Sequence, residues 1–382
     1  MAESNNLRVS LSQRTDFATP ASPLNMLTLL TTGQTMRDQV GYVQSQTIRT
    51  DANVQDLVRL SLAANGGIPL EMQFPVVNEA LWLLLRAALR ATEVAEASFS
   101  SCSITAGQST INKTGIHTTV DVGDIVRLSG ASLAADNGFK RVLSKTTDQI
   151  TVDATWGSSS SAITVVRGAR MVNGTSKYFY DVEVSHKEQA PTPELHQFFR
   201  QAAVDTMAVT VSDQAITSCA FGLVGVSSSR GTSENGASYA NPTSSPILDA
   251  LGVPVFRSGV TDYSAKSFGF TISNNIRQRT QVATLGATAL PFGAFTVNTR
   301  VTSYLANFVD LDAYVGNTAQ SIWWVMQNVN NQALSFSFPQ HKWADLAAPT
   351  QGLNQDDYLE GAGQAILHPT QGCTMRVQRW AS

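Results

Sequence analysis

The sequence has few charged residues and no excess of positive ones. Asp, Glu, Lys and Arg make up 14% of its 382 residues, and the formal net charge is −3; a typical globular domain has about 25% charged residues. A protein that reads or wraps DNA needs clustered Lys and Arg, so the composition argues against this class of protein. It does not argue against a protein past which DNA slides without binding. So neutral a surface fits a protein covered by its neighbours, and it fits an uncharged monomeric β-protein equally well.

Paired cysteines and long apolar runs are also missing. Cys102, Cys219 and Cys373 lie far apart and form no CxxC pair, which argues against a zinc site or a disulfide framework and indicates free thiols. The first residues contain no apolar signal core. The longest apolar stretch, 81–89, is interrupted by Arg86 and is too short to cross a bilayer. We therefore expect no membrane partner and a protein that stays in the cytoplasm until it assembles.

Motifs for catalysis and cofactor binding are absent as well. The sequence has no P-loop, no GxGxxG after a strand and no GxSxG, and its five histidines make no metal-binding spacing. We expect no catalytic residue, no cofactor and no metal, and a β-rich hydrolase would need a nucleophile constellation that is not there. The acidic pairs Asp310/Asp312 and Asp356/Asp357 lack the rest of a calcium loop and are typical of solvated turns.

What the sequence does contain is a series of short strand patterns. They predict a mainly β fold, a duplicated sandwich- or barrel-forming domain with one or two flanking helices, plus a small inserted all-β domain. The predicted division is an N-terminal arm at 1–40, the first half of the main domain at 41–97, the inserted domain at 98–170, and the remainder with the second repeat at 171–382. In the insertion, short strand candidates alternate with turns rich in Gly, Asn, Asp and Ser.

One segment of the first half predicts a helix. Asn78 is a candidate cap, and 81–89 is apolar on nearly every face. Such a helix must be covered on more than one side. Either its own core encloses it, or a second subunit covers part of it, in which case Trp82, Leu83 and Leu89 form a subunit contact.

Three more segments carry expectations about local structure. The arm 1–40 predicts a loop with at most a short helix. Thr192-Pro193 has the signature of a helix start, with the helix running to about Ala203. Residues 227–247, rich in Ser, Gly, Asn and Pro, predict a long mobile loop.

The most informative pattern is a weak internal repeat. Segment 45–50 (SQTIRT) resembles 273–278 (SNNIRQ), and each is followed, at nearly the same spacing, by a strand led by glycine, at Gly67 and Gly293, and then by an apolar segment. An isolated hairpin is marginally stable and its edges invite pairing. Two hairpins per chain, joined to those of neighbours, would close a barrel and remove the edges. The repeat therefore favours a ring-forming subunit, although duplicated monomeric sandwiches show the same pattern.

Longer stretches match a known family in pattern. In the second half they are 268–279 (FGFTISNNIRQR), 292–293 with the strand 295–301, Tyr304, Phe308 and Tyr314, the strand 322–325, Pro339 at a strand end, and 352–356 before the last strand. In the first half they are Ile48-Arg49, Gly67 and the helix 81–89, and in the insertion 123–130 (GDIVRLSG), 137–142 and 150–152. On these residues the chain resembles the long, duplicated tail tube proteins (major tail proteins) of long-tailed bacteriophages, over most of 40–380.

The resemblance implies a structural subunit of the virion tail and no enzyme. It implies rings of six self-assembling subunits whose hairpins form one inner β-barrel, stacked into a tube through which genome DNA is ejected without sequence-specific binding. The partners would be copies of the chain and other tail proteins at the tube ends. Assembly would take place in the host cytoplasm, and the inserted domain would lie outside the tube.

Strand alternation assigns side chains to the two faces of such a barrel. The residues predicted to face the lumen are Glu71, Gln73, Thr296, Asn298 and Arg300. Those predicted to face the packing layer are Met72, Phe74, Phe295, Val297 and Val301. The loops 1–40 and 227–262 are candidates for contacts between rings.

The pair Trp323-Trp324, on the predicted strand 322–325, leaves two functions open. In a tube, one ring enters the core and the other a subunit contact. In a fibre or baseplate protein that binds receptors or carbohydrates, the same pair would form a sugar platform, with the insertion 98–170 as the binding module.

Overall fold

The structure, a computed structural model, describes residues 6–51, 53–187, 194–243, 245–350, 352–353 and 355–381. Strands dominate it, so the predicted mainly β fold is confirmed. The strands are β1 (Leu7–Gln13), β2 (Asn25–Leu29), β3 (Arg37–Gln44), β4 (Leu57–Glu71), β5 (Glu93–Val94), β6 (Ala97–Ile104), β7 (Thr110–Asn112), β8 (Ile125–Ser129), β9 (Gly138–Thr146), β10 (Gln149–Val152), β11 (Ser160–Arg167), β12 (Ala169–Val172), β13 (Tyr180–His186), β14 (Leu195–Ser212), β15 (Ser218–Gly225), β16 (Ser227–Gly231), β17 (Ser238–Ala240), β18 (Val255–Ser258), β19 (Thr261–Asp262), β20 (Ala265–Ser273), β21 (Thr296–Tyr304), β22 (Gln320–Gln327), β23 (Ala333–Ala347), β24 (Tyr358–Ala365) and β25 (Arg376–Trp380). The α-helices are α1 (Ala80–Leu89) and α2 (Val309–Val315).

Two parts of the chain repeat one order of strands. In the first unit β3, β4, β15 and β14 lie side by side, and in the second unit β20, β21, β24 and β23 do so. Helix α1 follows β4 as α2 follows β21. The correspondence reaches single residues, because Tyr180 pairs with Ala202 as Gln320 pairs with His341.

The irregularities of the strands are repeated too. The pairing of β14 with β15 shifts register between Val204 and Thr206, and the pairing of β23 with β24 shifts at the corresponding place, between Trp343 and Asp345. A β-bulge depends on local backbone geometry, so its recurrence indicates that both units descend from one fold. The duplication proposed from sequence therefore extends over strands in which the sequence repeat is invisible.

Strand β14 joins the two units. Its N-terminal half pairs with β13 and β16 of its own unit, and its C-terminal half pairs with β15 on one side and with β20 of the second unit on the other. A Cβ atom at Gly269 of β20 would lie 2.6 Å from the carbonyl oxygen of Val209 in β14, so glycine permits this close approach. The result is one eight-stranded sheet, β3–β4–β15–β14–β20–β21–β24–β23, which we call the joined sheet.

One face of the joined sheet packs on a second layer, and the main core lies between them. In the second unit that layer contains β18, β22, the first half of β23, and β25. Trp324 of β22 points inward and contacts Phe268 and Phe270 of the joined sheet, with ring centroids 4.9 and 5.8 Å away. Helix α1 is covered by the chain itself, since all but two of its residues are buried.

The inserted unit is a closed six-stranded barrel of β6 to β11, in the order β10–β7–β6–β11–β8–β9. It lies in the chain between α1 and β13, where the second unit has only the short turn 316–319 between α2 and β22. The barrel packs on the outer layer of the second unit, where Phe139 meets Trp380 edge to face at 5.1 Å and clusters with Trp323. It therefore lies on the side of the molecule opposite the free face of the joined sheet.

A buried carboxylate fixes the barrel to the second unit. Asp124, at the start of β8, accepts hydrogen bonds from Arg376 of β25 at 2.9 Å and from Arg170 of β12 at 2.5 Å. Beside it the Gln378 side chain bonds both the N–H and the C=O of Ile125, at 2.7 and 3.1 Å. Because these groups are buried, each needs its partner, and the barrel is held in one orientation.

Two of the expectations about loops are wrong. The segment 7–13 is not part of an arm but forms β1, which pairs with β13 and β2. Residues 227–231 and 238–240, expected in a mobile loop, form β16 on β14 and β17 on β2. In both cases the partner strand is remote in sequence, so composition alone indicated a loop.

The expected helix at 192–203 is also wrong. Thr192 and Pro193 lie outside the described residues, and Leu195 begins β14. The aromatic pair Phe198-Phe199 favours a strand, and pairing with β13 and β16 overrides the cap signal.

Pro339 does not end a strand either. It lies inside β23 where the neighbour on one side changes from β25 to β24, and there its missing N–H costs no ladder bond.

The N-cap of helix α1 lies one residue after the predicted one. Glu79, not Asn78, takes the N-cap position, and it makes no side-chain cap hydrogen bond. The segment Asn65-Gly66-Gly67 has the composition of a turn but runs inside β4. A Cβ at Gly66 would lie 2.4 Å from the Cα of Met36, so the glycine serves a close crossing of two chain segments.

We predict that Asp124→Asn destabilises the protein by about 3–5 kcal/mol, because the buried Arg376 then loses its carboxylate partner. Urea unfolding followed by tryptophan fluorescence measures this. The control is Asp51→Asn, which removes an exposed ion pair with Arg49 and should leave the midpoint unchanged. Equal midpoints for both variants would contradict the role given to Asp124.

Candidate assembly surface

The free face of the joined sheet is built from small and polar side chains that stand in rows across the strands. Three rows follow from the pairing. They are Glu71–Ser218–Thr210–Gly269–Arg300–Ala362–Asp345, Pro69–Ala220–Ala208–Thr271–Asn298–Gln364–Lys342, and Gly67–Gly222–Thr206–Ser273–Thr296. None of these residues is buried in the subunit. The rows carry two acidic and two basic groups, so the face is hydrated and close to neutral.

The residues predicted to face a lumen fall on this face or at its margin. Asn298 and Arg300 are exposed on β21, with Thr296 half-buried beside them. Glu71 lies in the same row as Arg300, four strands away. Gln73 lies just beyond β4, where it forms an isolated bridge with Ile247. That these residues line a lumen stays a prediction.

The residues assigned to the packing side alternate with them. Val297, Val301 and Met72 are buried in the main core, and Phe74 is buried next to the guanidinium of Arg379. Phe295, just before β21, is half-buried against the same core. The two faces of β21 thus differ sharply, one apolar and covered, the other polar and open.

The joined sheet ends in two free edges. Within the described residues β3 pairs with β4 on one side and with no strand on the other. At the far end, β22 accompanies β23 only as far as His341, so the stretch from Lys342 to Ala347 pairs with β24 on one side and with no strand of the described residues on the other. Unpaired N–H and C=O groups along such edges are templates for another strand.

The five residues expected in subunit contacts are enclosed by the subunit itself. Trp82, Leu83 and Leu89 are buried in its core, and the Trp82 indole donates to Glu93 at 2.7 Å. Trp324 enters the core, while Trp323 meets the inserted barrel. The same chain therefore supplies all the surfaces that cover these side chains. We do not propose these five residues as interface residues. Since both indoles are buried, they offer no platform for a sugar.

One buried cluster contains the residue types of a hydrolase but not its geometry. His196 Nδ1 lies 2.9 Å from Ser185 Oγ and 3.1 Å from Glu183, while Ser185 Oγ itself donates to Glu183 at 2.8 Å. The carboxylate also accepts from Tyr239 at 2.6 Å and pairs with Arg8 at 3.3 Å. A serine closed in and donating to a carboxylate is no nucleophile, and the cluster ties β1 and the segment before β17 to β13.

The described part of the chain holds no group of three or more metal-binding side chains close enough to share an ion. Asp310, one of the acidic residues considered for a cation, is buried and accepts a hydrogen bond from Tyr263. No helix among the described residues is long and apolar enough to cross a membrane.

The edge residues are the functional candidates that sequence patterns missed. Neither Arg37–Gln44 nor 342–347 has a composition that distinguishes an edge strand from a central one. Whether a strand is an edge depends on which strands exist elsewhere and in what order they pair. The only sequence signal was indirect, namely the repeat at 45–50 and 273–278, which falls directly after β3 and at the end of β20.

Comparison with known proteins gives one match. A family model described as "Phage tail tube protein" matches residues 4–367, nearly the whole chain. No curated protein matches it.

We predict that stability falls as the pH drops, because of His341. This residue lies on the core face of β23, with Nε2 2.6 Å from Thr299 Oγ1 and beneath Gly363, where a Cβ would come within 2.1 Å. Burial lowers the pKa of His341 to about 4 from 6.5. Protons therefore bind the unfolded chain first, and up to about 3 kcal/mol of stability is lost between pH 6.5 and 4.

Urea midpoints at pH 7 and pH 4.5, for the wild type and for His341→Gln, measure this loss. The variant should be less stable at pH 7 but should lose less on acidification. The same drop in both proteins would show that other groups cause it.

Proposed function

Since the chain belongs to the phage tail tube protein family and is thus a structural component of the virion tail, we propose that its subunits close into rings by pairing the two free edges of the joined sheet. Stacked rings then form the conduit for genome DNA. The observation that carries this proposal is the pairing of β14 with β20 inside each chain. That junction supplies a template for the contact between chains.

The β14–β20 junction predicts which residues lie opposite each other in the contact between chains. In that contact β23 takes the place of β14, and β3 takes the place of β20, because of their positions in the two units. Inside the chain Thr206 of β14 lies opposite Ser273 of β20. The corresponding residues are Asp345 of β23 and, counted through the pairing of β3 with β4, Gln39 of β3. The contact is head-to-tail, and such contacts close into rings when the rotation between subunits is right.

The number of chains in a ring follows from its circumference. With strands about 4.8 Å apart and tilted by about 40°, three chains of eight strands make a barrel roughly 50 Å across, and six chains make one roughly 100 Å across. Duplex DNA is about 20 Å wide, as its groove depths indicate. Because each chain carries two units, three chains already supply six. We therefore propose rings of three chains rather than the six implied by the resemblance.

The free face of the joined sheet is the proposed lumen wall. Its side chains are short and mostly uncharged, and its few charges are of both signs. Such a wall stays hydrated and offers DNA no run of cations, so few counterions would be released on contact and the duplex would slide. The inserted barrel then lies on the outside of the ring. Contacts between rings through 1–40 and 227–262 stay predictions.

We predict that Gln39→Cys/Asp345→Cys forms disulfides between subunits under mild oxidation. The two edges are roughly 34 Å apart within one chain, seven strand spacings, so any such bond joins two chains. Opposed residues of an antiparallel pair have the Cα separation that a disulfide needs. Denaturing gels should show a ladder that ends at the covalently closed ring of three chains.

The matched control is Thr206→Cys/Ser273→Cys, a pair with the same geometry inside one chain. It should oxidise without changing the number of chains per species. If the control oxidises while the edge pair stays monomeric, and electron microscopy shows no rings, the proposed function is wrong. A ladder that ends at six chains would leave the ring intact and overturn the count.

We also predict that cations on the free face make the tube hold DNA. Replacing Thr210, Asn298 and Gln364 by Lys should leave assembly intact, because the three side chains are exposed. Tubes of this variant should bind duplex DNA at 50 mM salt and release it at 200 mM salt, and phage carrying it should eject slowly. The control replaces the same residues by Gln, Gln and Asn. Equal ejection by both would contradict the assignment of the lumen.

A further inference from the structure

The hairpin of β3 and β4 exposes apolar side chains in both strands and in the connection between them. They are Tyr42 and Val43 in β3, Ile48 in the connection, and Leu57, Val58 and Leu60 in β4. Ile48, near the tip, is 98% exposed. Apolar groups gathered in one exposed segment usually mark a contact surface, and none of the functions assigned above uses this one.

The corresponding connection of the second unit is covered. Residues 274–295, between β20 and β21, fold back over the first unit of their own chain. Leu62 N donates to Leu285 O at 2.9 Å, and Gln278 Nε2 donates to Gly225 O at 2.9 Å. Beside these bonds lies a hydrophobic cluster in which Leu290 and Ile276 pack with Val226 and Phe179.

The surface that receives this contact in the first unit has an uncovered counterpart in the second. Val226 directly follows β15, and Ile366 directly follows β24, the corresponding strand. Leu367 beside it is 62% exposed, and Val315, at the end of α2, is 82% exposed. In the first unit Arg90, the residue that follows α1, donates to Gly293 O of the covering segment at 3.2 Å.

The chain therefore contains one complete contact, in which 274–295 cover the first unit. It also contains the two surfaces of a second, similar contact, namely the exposed connection between β3 and β4 and the uncovered surface beside β24. The exposed connection lies by β3 and the uncovered surface by β24, six strand spacings or roughly 30 Å apart along the joined sheet. The two halves do not meet in one chain, but a head-to-tail neighbour brings them together. The connection between β3 and β4 also begins with SQTIRT at Ser45, which resembles the SNNIRQ at Ser273 that begins the covering segment.

We propose that residues 42–51 and 53–60 of one subunit lie over the second unit of the next subunit in the ring and cover Ile366 and Leu367, as 274–295 cover the first unit of their own chain. The partner is a second copy of this chain in the same ring. This inference rests on the proposed ring. It adds a second contact between the two neighbouring subunits, beside the paired sheet edges, and we call this second contact the clasp.

Oxidative cross-linking of Ile48→Cys/Leu367→Cys tests the clasp. The native thiols are all buried and leave the background low. The matched control is Val282→Cys/Leu367→Cys, because Val282 is also 98% exposed but lies in the segment that covers its own chain. The Ile48 pair should give species of two and more chains, and the Val282 pair should give none.

The same reaction on single rings and on stacked tubes identifies the neighbour. Cross-linking in single rings supports the proposal, whereas cross-linking in tubes alone would assign the connection to contacts between rings and overturn it. If Gln39→Cys/Asp345→Cys closes rings and the Ile48 pair does not react, the clasp is wrong and the proposed function stands. If neither pair reacts and no rings form, the proposed function itself has failed.

Charge at the tip gives a second readout that needs no cysteines. Ile48→Asp should raise the protein concentration needed for ring formation by about tenfold or more, since an isoleucine side chain loses its buried site. Val282→Asp should change that concentration less than about twofold. Thermal unfolding of the isolated subunit should be the same for both, because both side chains are exposed there. Equal assembly of the two variants would overturn the proposal.

Discussion

The structure depends on the backbone hydrogen bonds at the edges of one sheet. Every N–H and C=O of a strand needs a partner, and an edge strand keeps half of its groups unpaired. The first unit uses one of its edges for β20, and the second unit presents the corresponding edge, along 342–347, with no strand of the described residues on it. A fold that satisfies this edge within the chain at one point and leaves the equivalent edge open at another has room for an identical unit there, which is the basis of the proposed ring.

The duplication also allows the two units to differ on their outer side. Only the first unit carries the inserted barrel, but the barrel covers the outer layer of the second unit through Phe139 and Asp124. A single-unit subunit would repeat any insertion at every position around a ring. In the proposed ring the fused chain would place the insertion at alternate positions, and within each chain the inserted barrel buries Trp323 without help from a neighbour. The order of layers is then barrel, outer strands, core, and the free polar face.

Sequence patterns predicted what is local and missed what is not. Alternation placed both faces of β21 correctly, and periodicity located α1 to within a residue. β1 was missed because its partner lies far away in the chain, with Leu7 opposite His186, and the first half of β14 was missed because the Thr-Pro pair before it is typical of a helix start. The pattern left open whether the chain's own core or a second subunit covers Trp82, and it did not indicate that the inserted barrel covers Trp323, because a pattern states that a side chain needs cover without saying from where. The strands 180–225 and 320–365 repeat their pairing almost residue for residue, yet little of their sequence is shared. Pairing depends on the backbone, so it outlasts the side chains.

The low charge of the chain has a structural explanation in the same sheet. A wide face made of Thr, Ser, Gly, Asn and Gln keeps its strand propensity through Thr while it stays wet. An apolar face would pair with itself in the wrong way, and in the proposed tube a basic face would hold the DNA that passes through. A wide face with few charges contributes to the low charged fraction of the chain, 14%.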